Sequence, residues 1–465
     1  MSRINTNVSS LVAQRVLAKN NSMLNKSLER LSTGLKINSG ADNPAGLIAS
    51  ENLRAEKTGL TAAMSNAERA GNIIATAEGG LAEVGNLLNE LQGLVTETAN
   101  SGGLTQDEID ANQLQVDSIL GTINRLAGSV NFQGKKLLNG EMEYFVSGAT
   151  TSTLADVSVN SARLVGGGAQ ALNVTVVSAA ETALVTQAIA NTSGVYKLEI
   201  AGNNGAEEIT LASNATAADV VTAVNNLKDV TGVSATASGT TVLYNSQGYG
   251  SNSFVTVKGV EGVTFTGNDE GTDVNVNVNG VKAEADGLNV TVRNNLVDAT
   301  FTLDSSTATN VAAYTKTINI TGGGATFSLG AKATQADQAS IGINSVSTGS
   351  LGTSGSKLSS LGSGGTNSLT SGNISEAQKA LTSAIKQVSE TRGRLGSFQK
   401  FVIGSTVNQL GVAFENASAA ESAIRDADFA QETAALTRGQ ILAQASTTVL
   451  AQANQQPQRV LSLLG

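Results

Sequence analysis

Hydrophobic residues recur at helical spacing at both ends of the chain and at strand spacing in the middle. From Ile4 to Leu138, and from Asn373 to Leu464, an apolar residue returns every three or four positions among Ala, Gln, Asn and Glu. This period predicts amphipathic helices. The stretch between them is rich in Gly, Ser, Thr, Val and Asn, and its alternating apolar residues predict strands. We therefore expect helical ends that pair with each other or with other chains, and a β-rich insert between them.

A leucine seam marks the first predicted helix. Its members recur at the spacing of a helix that meets a neighbour through heptad contacts. They are Leu17, Leu24, Leu28, Leu31 and Leu35. Gly34 and the polar stretch 38–43 then interrupt the pattern. Asn43 followed by Pro44 predicts the N-cap and the first residue of a second helix.

The second and third predicted helices form a hairpin. The turn falls at 101–103, and Thr105 with Glu108 predicts a capping box for the third helix. So short a connection places successive helices side by side. The apolar stripe of the second helix includes Leu81, Leu88, Leu91 and Val95.

The C-terminal region repeats the helical pattern. Asn373 with Glu376 predicts a capped helix, and a last helix is predicted from about 431 to 454, with Pro457 ending it. Apolar residues of this helix and of the tail behind it include Leu442, Val449, Leu461, Leu463 and Leu464. An exposed apolar tail predicts a partner, which is either another chain or the N-terminal helix of the same chain.

The insert contains turn and cap signals of its own. The turn 203–205 lies between two alternating runs and predicts a hairpin, and Thr216 with Asp219 caps a short helix after it. Asn279-Gly280 predicts a second hairpin turn. The Gly and Ser clusters at 349–372 predict a flexible return connection.

Composition excludes most catalytic chemistry. The chain has no Cys and no His, so it lacks disulfides, thiolate nucleophiles, imidazole bases and the common zinc ligands. Carboxylate-only glycosidase chemistry or a peptidase in the insert remains formally possible, but no supporting motif accompanies Glu207, Glu208 or Asp219. The acidic loop 267–271 lacks the spaced oxygen ligands of a calcium site. We expect no enzyme activity, no metal and no cofactor.

Charge and hydropathy exclude two kinds of partner. The net charge of −9 lies in the insert, because basic and acidic residues balance in the terminal regions. An acidic insert suits the outside of a soluble assembly. The chain has no basic patch of the kind that binds nucleic acid, and it has no apolar run long enough for membrane insertion. The N-terminus also lacks the apolar core of a secretory signal, which predicts a cytosolic protein or one exported by another route.

Several segments of the ends match a known family. The matching terminal segments include Ser27–Asn38, Asn131–Gly134, Arg425–Ala430 and Gln452–Gln455. In these segments the chain resembles bacterial flagellin, the subunit of the flagellar filament. Between 195 and 244 the insert is similar to the small repeat of variable flagellin domains.

The resemblance implies a multidomain fold. An all-α coiled-coil and helical-bundle core is built from both termini, and a β-rich (α+β) central insert is carried on it. Residues 1–43 plus 431–465 are expected to form the terminal coiled coil. Residues 44–150 plus 371–430 are expected to form the helical bundle with an extended hairpin segment. Residues 151–370 are expected to form the solvent-facing insert, in one or two subdomains.

The resemblance also implies a function. The expected function is a structural subunit that polymerises with other copies of itself into the filament for swimming motility. Implied partners are the filament cap, the hook-filament junction proteins and a flagellin export chaperone. Export through the flagellar type III apparatus implies an extracellular location. The alternative is a hook-filament junction protein, which shares helical ends but is expected to match the flagellin motifs less closely.

One segment departs from the family pattern. Many flagellins carry a Gln-Arg pair followed by Leu in the second helix, where an innate immune receptor of animals binds. This chain has Asn89 and Glu90 there and keeps Leu94. Because an anion replaces a cation, the resemblance implies weak receptor activation.

Overall fold

The chain forms two compact units, each built from both terminal regions. The computed structural model describes residues 6–100, 103–149, 154–164, 168–189, 195–294, 296–309, 315–332 and 334–461. The first unit comprises Met1–Glu68, Ser328–Asp337 and Ile403–Gly465. The second comprises Arg69–Phe327 and Gln338–Val402.

Long helices account for most of the two terminal regions. They are α1 (Val8–Thr33), α2 (Pro44–Thr98), α3 (Gln106–Ser129), α7 (Ile374–Ser397), α8 (Ser405–Arg425) and α9 (Phe429–Leu461), and a π-helical segment, Phe398–Gly404, lies between α7 and α8. Short helices lie between them, namely α4 (Ala217–Asn226), α5 (Lys228–Thr231) and α6 (Ser305–Ala308). No helix among the described residues is apolar over a length sufficient to cross a bilayer.

Strands fill the central region. They are β1 (Asn131–Phe132), β2 (Lys135–Lys136), β3 (Tyr144–Ser147), β4 (Leu154–Ala162), β5 (Gln170–Ser178), β6 (Thr182–Ala188), β7 (Tyr196–Gly202), β8 (Gly205–Leu211), β9 (Val233–Ser238), β10 (Thr241–Tyr249), β11 (Phe254–Glu261), β12 (Thr266–Glu270), β13 (Asn275–Val278), β14 (Val281–Lys282), β15 (Glu284–Asp286), β16 (Asn289–Arg293), β17 (Val297–Leu303), β18 (Thr315–Gly323), β19 (Ala325–Ser328) and β20 (Gln338–Ile341). The predicted fold class, helical ends around a β-rich insert, is confirmed.

The predicted N-terminal residues of α2 and α3 are confirmed. α2 begins at Pro44, and the Asn43 side chain accepts the N–H of Gly46 at 3.0 Å. Thr105 and Glu108 form the predicted capping box of α3. Each side chain satisfies a backbone group that the first helical turn leaves without an intrahelical partner.

The prediction for α7 is wrong in one respect. Asn373 stands at the N-cap position, but its side chain makes no capping hydrogen bond. Its Nδ2 donates instead to the carbonyl of Thr366 at 2.8 Å, and Glu376 pairs with Lys379. The neighbouring turn therefore competes successfully for the groups that a capping box would use.

The helices of the second unit bury the predicted apolar stripe. Leu81, Leu88, Leu91 and Val95 of α2 are all fully buried. A two-donor contact from the Arg392 guanidinium of α7 to Glu78 Oε1, at 3.1 and 2.8 Å, connects α7 to the same helix.

The predicted flexible return at 349–372 is wrong. Leu358 and Leu361 are fully buried there. The amide of Gln113 on α3 binds this segment at two points. Its Nε2 donates to Leu361 O at 2.9 Å, and its Oε1 accepts the N–H of Leu369 at 2.7 Å. Buried leucines and a buried amide thus order a segment whose composition resembles a linker.

The insert contains two separate hydrophobic cores. One packs two sheets, β14-β13-β5-β18-β3 and β15-β16-β17-β4, around residues such as Phe301. The other packs β6-β10-β9 and β12-β11-β7-β8 with α4 around Tyr196 and Tyr244. The predicted hairpin is present in the second core, where β7 pairs with β8 and closes at Gly202 and Gly205.

Candidate assembly interface

The first and last helices of the chain pack against each other in opposite directions. Contacts join Asn7 to Ala453, Asn20 to Ser446 and Arg30 to Glu432, so residue numbers rise along α1 as they fall along α9. The two helices meet along a seam with heptad spacing, which is the geometry of an antiparallel coiled coil. We call this contact the α1–α9 seam.

The buried positions of the α1–α9 seam are small or polar. On α1 they are Ser10, Ala13, Asn20 and Ser27, and the half-buried Leu17, Leu24 and Leu31 alternate with them at spacings of three and four. On α9 the buried positions are Gly439, Ser446 and Ala453. Small side chains at the fully buried positions let the two backbones approach closely, and the three half-buried leucines flank them.

Side-chain amides and hydroxyls satisfy one another inside this seam. Asn20 Nδ2 donates to Ser446 Oγ at 2.6 Å and to Leu442 O at 3.3 Å. Ser446 Oγ in turn donates to Leu442 O at 2.7 Å. A buried amide with one matching partner favours one register over others, as polar residues do in coiled coils.

A short β-bridge closes one end of the seam. α1 ends at Thr33 because Gly34 adopts φ 71°, the left-handed conformation in which glycine has no Cβ to clash. Leu35, predicted on the helical seam, therefore lies beyond the helix and forms an antiparallel bridge with Asp426. The N–H of Lys36 donates to Arg425 O at 2.6 Å across the same bridge.

An ion pair orders the chain between α1 and α2. Lys26 Nζ lies 2.6 Å from Asp42 Oδ1. This contact, together with the backbone N–H of Ser39, holds the pKa of the Asp42 carboxyl well below its ordinary value. The lysine side chain is 47% exposed and the aspartate side chain 12% exposed. Water still reaches the pair, so it orients the connection more than it stabilises the fold.

Large apolar side chains remain exposed beside the seam. On α1 they are Val8, Leu11, Val12, Val16, Met23 and Leu28, and on α9 they are Phe429, Ile441, Leu442 and Val449. The first five on α1 fall within an arc of about 140° at 100° per residue, next to the seam. Leu28 lies on the other side of the seam, and the four residues of α9 also lie on more than one side of it. We call these ten exposed residues together the apolar face. Large apolar side chains exposed in this number mark a contact with another molecule.

The predicted seam residues therefore fall into separate groups. Leu17, Leu24 and Leu31 contribute to the α1–α9 seam, whereas Leu28, Leu442 and Val449 lie on the exposed apolar face. Leu461 ends α9, and nothing is described of its side chain. Leu463 and Leu464 lie outside the described residues.

The predicted end of the last helix is wrong. α9 runs from Phe429 to Leu461 and passes through Pro457 without a break. The polar seam residues Ser10, Asn20 and Ser27 were not predicted. They continue the heptad spacing of the leucines, so the signal was present in the sequence, but a search for apolar residues alone does not find it.

The segment that departs from the family pattern lies on α2. Asn89 and Glu90 are exposed, whereas Leu94 is only 8% exposed. A partner approaching this side of the helix would therefore meet the amide and the carboxylate before the leucine.

Among the described residues, no three His, Cys, Asp or Glu side chains are grouped closely enough to hold a metal ion. The candidate functional surface of the described chain is the apolar face on its terminal helices, which lies beside the α1–α9 seam and does not take part in it.

Comparison with known proteins gives the same assignment at both ends and in the insert. The bacterial flagellin N-terminal helical region matches residues 4–143, and the C-terminal helical region matches residues 378–464. Flagellin B of Vibrio cholerae serotype O1 is 31% identical over 467 residues, covering 99% of each chain. The chain belongs to the bacterial flagellin family. Flagellin D of Vibrio anguillarum is 30% identical over 472 residues, again covering 99% of each chain.

The flagellin assignment extends to the insert and favours the filament over the junction. The flagellin hook IN motif matches residues 197–247, which lie in the second core of the insert. Because full-length relatives carry the name flagellin, the chain is a structural subunit of a flagellar filament, and the junction-protein alternative is the weaker one. FlgL of Xanthomonas campestris superposes with a TM-score of only 0.29 at 10% identity, over 78% of this chain and 97% of that one. A superposition this poor is not evidence for fold or function.

Proposed function

We propose that this flagellin polymerises by burying the apolar face of α1 and α9 against other copies of itself. The proposal rests on the two kinds of position on α1. The small and polar residues of α1 pack against α9 of the same chain, whereas Leu11, Met23 and Leu28 remain exposed. A contact within one chain leaves these side chains in water, whereas a helical assembly offers every subunit the same neighbouring surfaces.

The energetics favour assembly once several such side chains are covered. Fully burying one Val, Leu, Ile or Met side chain contributes about 1.5–3 kcal/mol. Ordering a terminal residue costs about 1–2 kcal/mol of backbone entropy, so isolated terminal helices gain little from folding alone. We therefore infer that the terminal helices become fully ordered when neighbouring subunits cover their apolar face.

The same proposal assigns roles to the three predicted regions. Residues 1–43 with 431–465 line the filament core, residues 44–150 with 371–430 surround it, and the acidic insert at 151–370 faces solvent. The chain acts as a secreted structural protein with no catalytic role. Its further partners are a cap protein, hook-filament junction proteins and an export chaperone, and the family resemblance supports all three.

Salt-induced polymerisation of the purified chain tests this proposal. We expect long filaments by electron microscopy, and no growth from a chain truncated after Gln455, because the truncation removes the end of α9 and the apolar tail behind it. A full-length chain that stays a compact monomer with protected termini under every polymerising condition would contradict the proposal.

We also propose that this chain activates the animal innate receptor weakly. Glu90 presents a carboxylate where many flagellins present a guanidinium, and like-charge contacts at an interface reduce binding. Glu90→Arg is expected to raise activation by monomer at least about tenfold in reporter cells. Glu56→Arg, at an exposed acidic position on the opposite side of α2 and nearer its start, is the matched control. Activation by the unaltered chain at the strength of an enteric flagellin would refute the idea.

A further inference from the structure

One carbonyl of α9 lacks its usual donor. In an α-helix, each interior carbonyl accepts the N–H of the residue four positions later. For Ala453 that residue is Pro457, which carries no backbone N–H. α9 nevertheless continues to Leu461. A proline in a helix interior ordinarily breaks or kinks the helix, unless another donor replaces the missing one.

The start of α1 supplies a donor at this carbonyl. Asn7 Nδ2 donates to Ala453 O at 2.8 Å, and Ala453 is only 7% exposed. The same side chain is the N-cap of α1, because its Oδ1 accepts the N–H of Ser10 at 3.1 Å. One amide therefore uses its acceptor on its own helix and its donor on the partner helix.

We propose that Asn7 is a positioning residue that replaces the hydrogen bond removed by Pro457, and so keeps the last turn of α9 helical and aligned with the start of α1. The assembly consequence of this inference rests on the proposed function, because the last turn of α9 leads into the apolar tail. The hydrogen bond itself does not rest on it.

The chemistry of the two roles makes asparagine difficult to replace. Serine and aspartate both serve as N-caps. Serine is too short to retain the reach of the amide, and aspartate has no N–H donor when ionised. Each substitution therefore preserves the start of α1 and removes the bond to Ala453 O.

A double-mutant cycle tests the link between the two residues. Pro457→Ala restores an N–H that Ala453 O can accept within its own helix, so the need for Asn7 disappears. We expect Asn7→Ser to raise the critical concentration for filament growth about tenfold in the natural background, the effect of losing one hydrogen bond to a buried carbonyl. In the Pro457→Ala background the same substitution is expected to change it by less than about twofold.

Ser10→Ala provides the matched control. Ser10 Oγ donates to Asn454 Oδ1 at 2.7 Å, so it joins the same two helix ends without involving the carbonyl of Ala453. Its effect is expected to be the same in both backgrounds. Asn7→Asp is expected to be at least as harmful as Asn7→Ser with Pro457 present, because its carboxylate would face the carbonyl oxygen.

Amide hydrogen exchange of residues 454–461 is measured for the same variants in the unassembled chain, where the bond from Asn7 to Ala453 is expected to give partial protection that assembly completes. Loss of protection in Asn7→Ser, and its recovery with Pro457→Ala, supports the proposal even if no variant forms filaments. Failure of the unaltered chain to polymerise would count against the proposed function alone. Equal effects of Asn7→Ser in both backgrounds, in exchange and in critical concentration, would overturn the inference.

Discussion

Val449→Asp is expected to raise the concentration needed for filament growth by at least about a hundredfold. Val449 is 57% exposed on α9, so a single chain tolerates the change. In the proposed assembly the side chain is covered, and the substitution loses about 1.5 kcal/mol of apolar burial. It also buries a carboxylate among apolar side chains without a cation or hydrogen-bond donor to pair with it, which costs several kcal/mol more. Critical concentration, measured by sedimentation of salt-grown filaments, reports the sum.

Gln444→Asp is the control for this substitution. Gln444 is exposed on the same helix, about 140° from Val449 at 100° per residue. Gln444→Asp introduces the same charge with a similar helix propensity but leaves Val449 and the side of α9 around it unchanged. We expect its effect to be at least ten times smaller. If both variants polymerise like the unaltered chain, α9 does not bury its apolar face on assembly.

Leu88→Ala is expected to lower the free energy of unfolding of the second unit by about 2–5 kcal/mol. Leu88 is fully buried in the stripe of α2, so the truncation removes transfer energy and leaves a cavity among the helices. Leu114→Ala on α3 is the matched control, because that leucine is 69% exposed and should change the same quantity by less than about 0.5 kcal/mol. Urea unfolding followed by helical circular dichroism measures both. Equal effects would contradict the assignment of the α2 stripe to the core.

Local signals in the sequence predicted many of the elements. The capping box of Thr105 with Glu108, and the Asn43-Pro44 helix start, depend on side chains within four residues of the backbone groups they satisfy. The period of Leu81, Leu88 and Leu91 reports a single buried side of α2. Such features follow from geometry inside one element, which the sequence carries directly.

Features that depend on distant residues were not predictable in the same way. Pro457 is compatible with a helix here because a side chain 450 positions earlier in the chain donates to Ala453 O. The segment around Leu361 is ordered because the Gln113 amide holds it, although its composition resembles a linker. No local pattern contains either partner.

The leucine seam shows a different limit. Heptad spacing correctly marked α1 as a helix that meets neighbours, but it does not state which neighbour each leucine meets. Leu24 packs against Gly439 of α9, whereas Leu28, four residues later, is exposed. A helix with contacts inside and outside its own chain superimposes two apolar patterns, and only the positions of the partner helix separate them.

The rate of oxidation of Met23, compared between the free chain and filaments, shows whether assembly covers the apolar face. Met23 belongs to the apolar face and is 43% exposed on α1, so peroxide converts it readily to the sulfoxide in the free chain. Assembly is expected to slow this reaction by at least about tenfold, relative to free methionine in the same solution. Equal rates in the free chain and in filaments would show that assembly leaves the apolar face in water, and would refute the proposed mode of polymerisation.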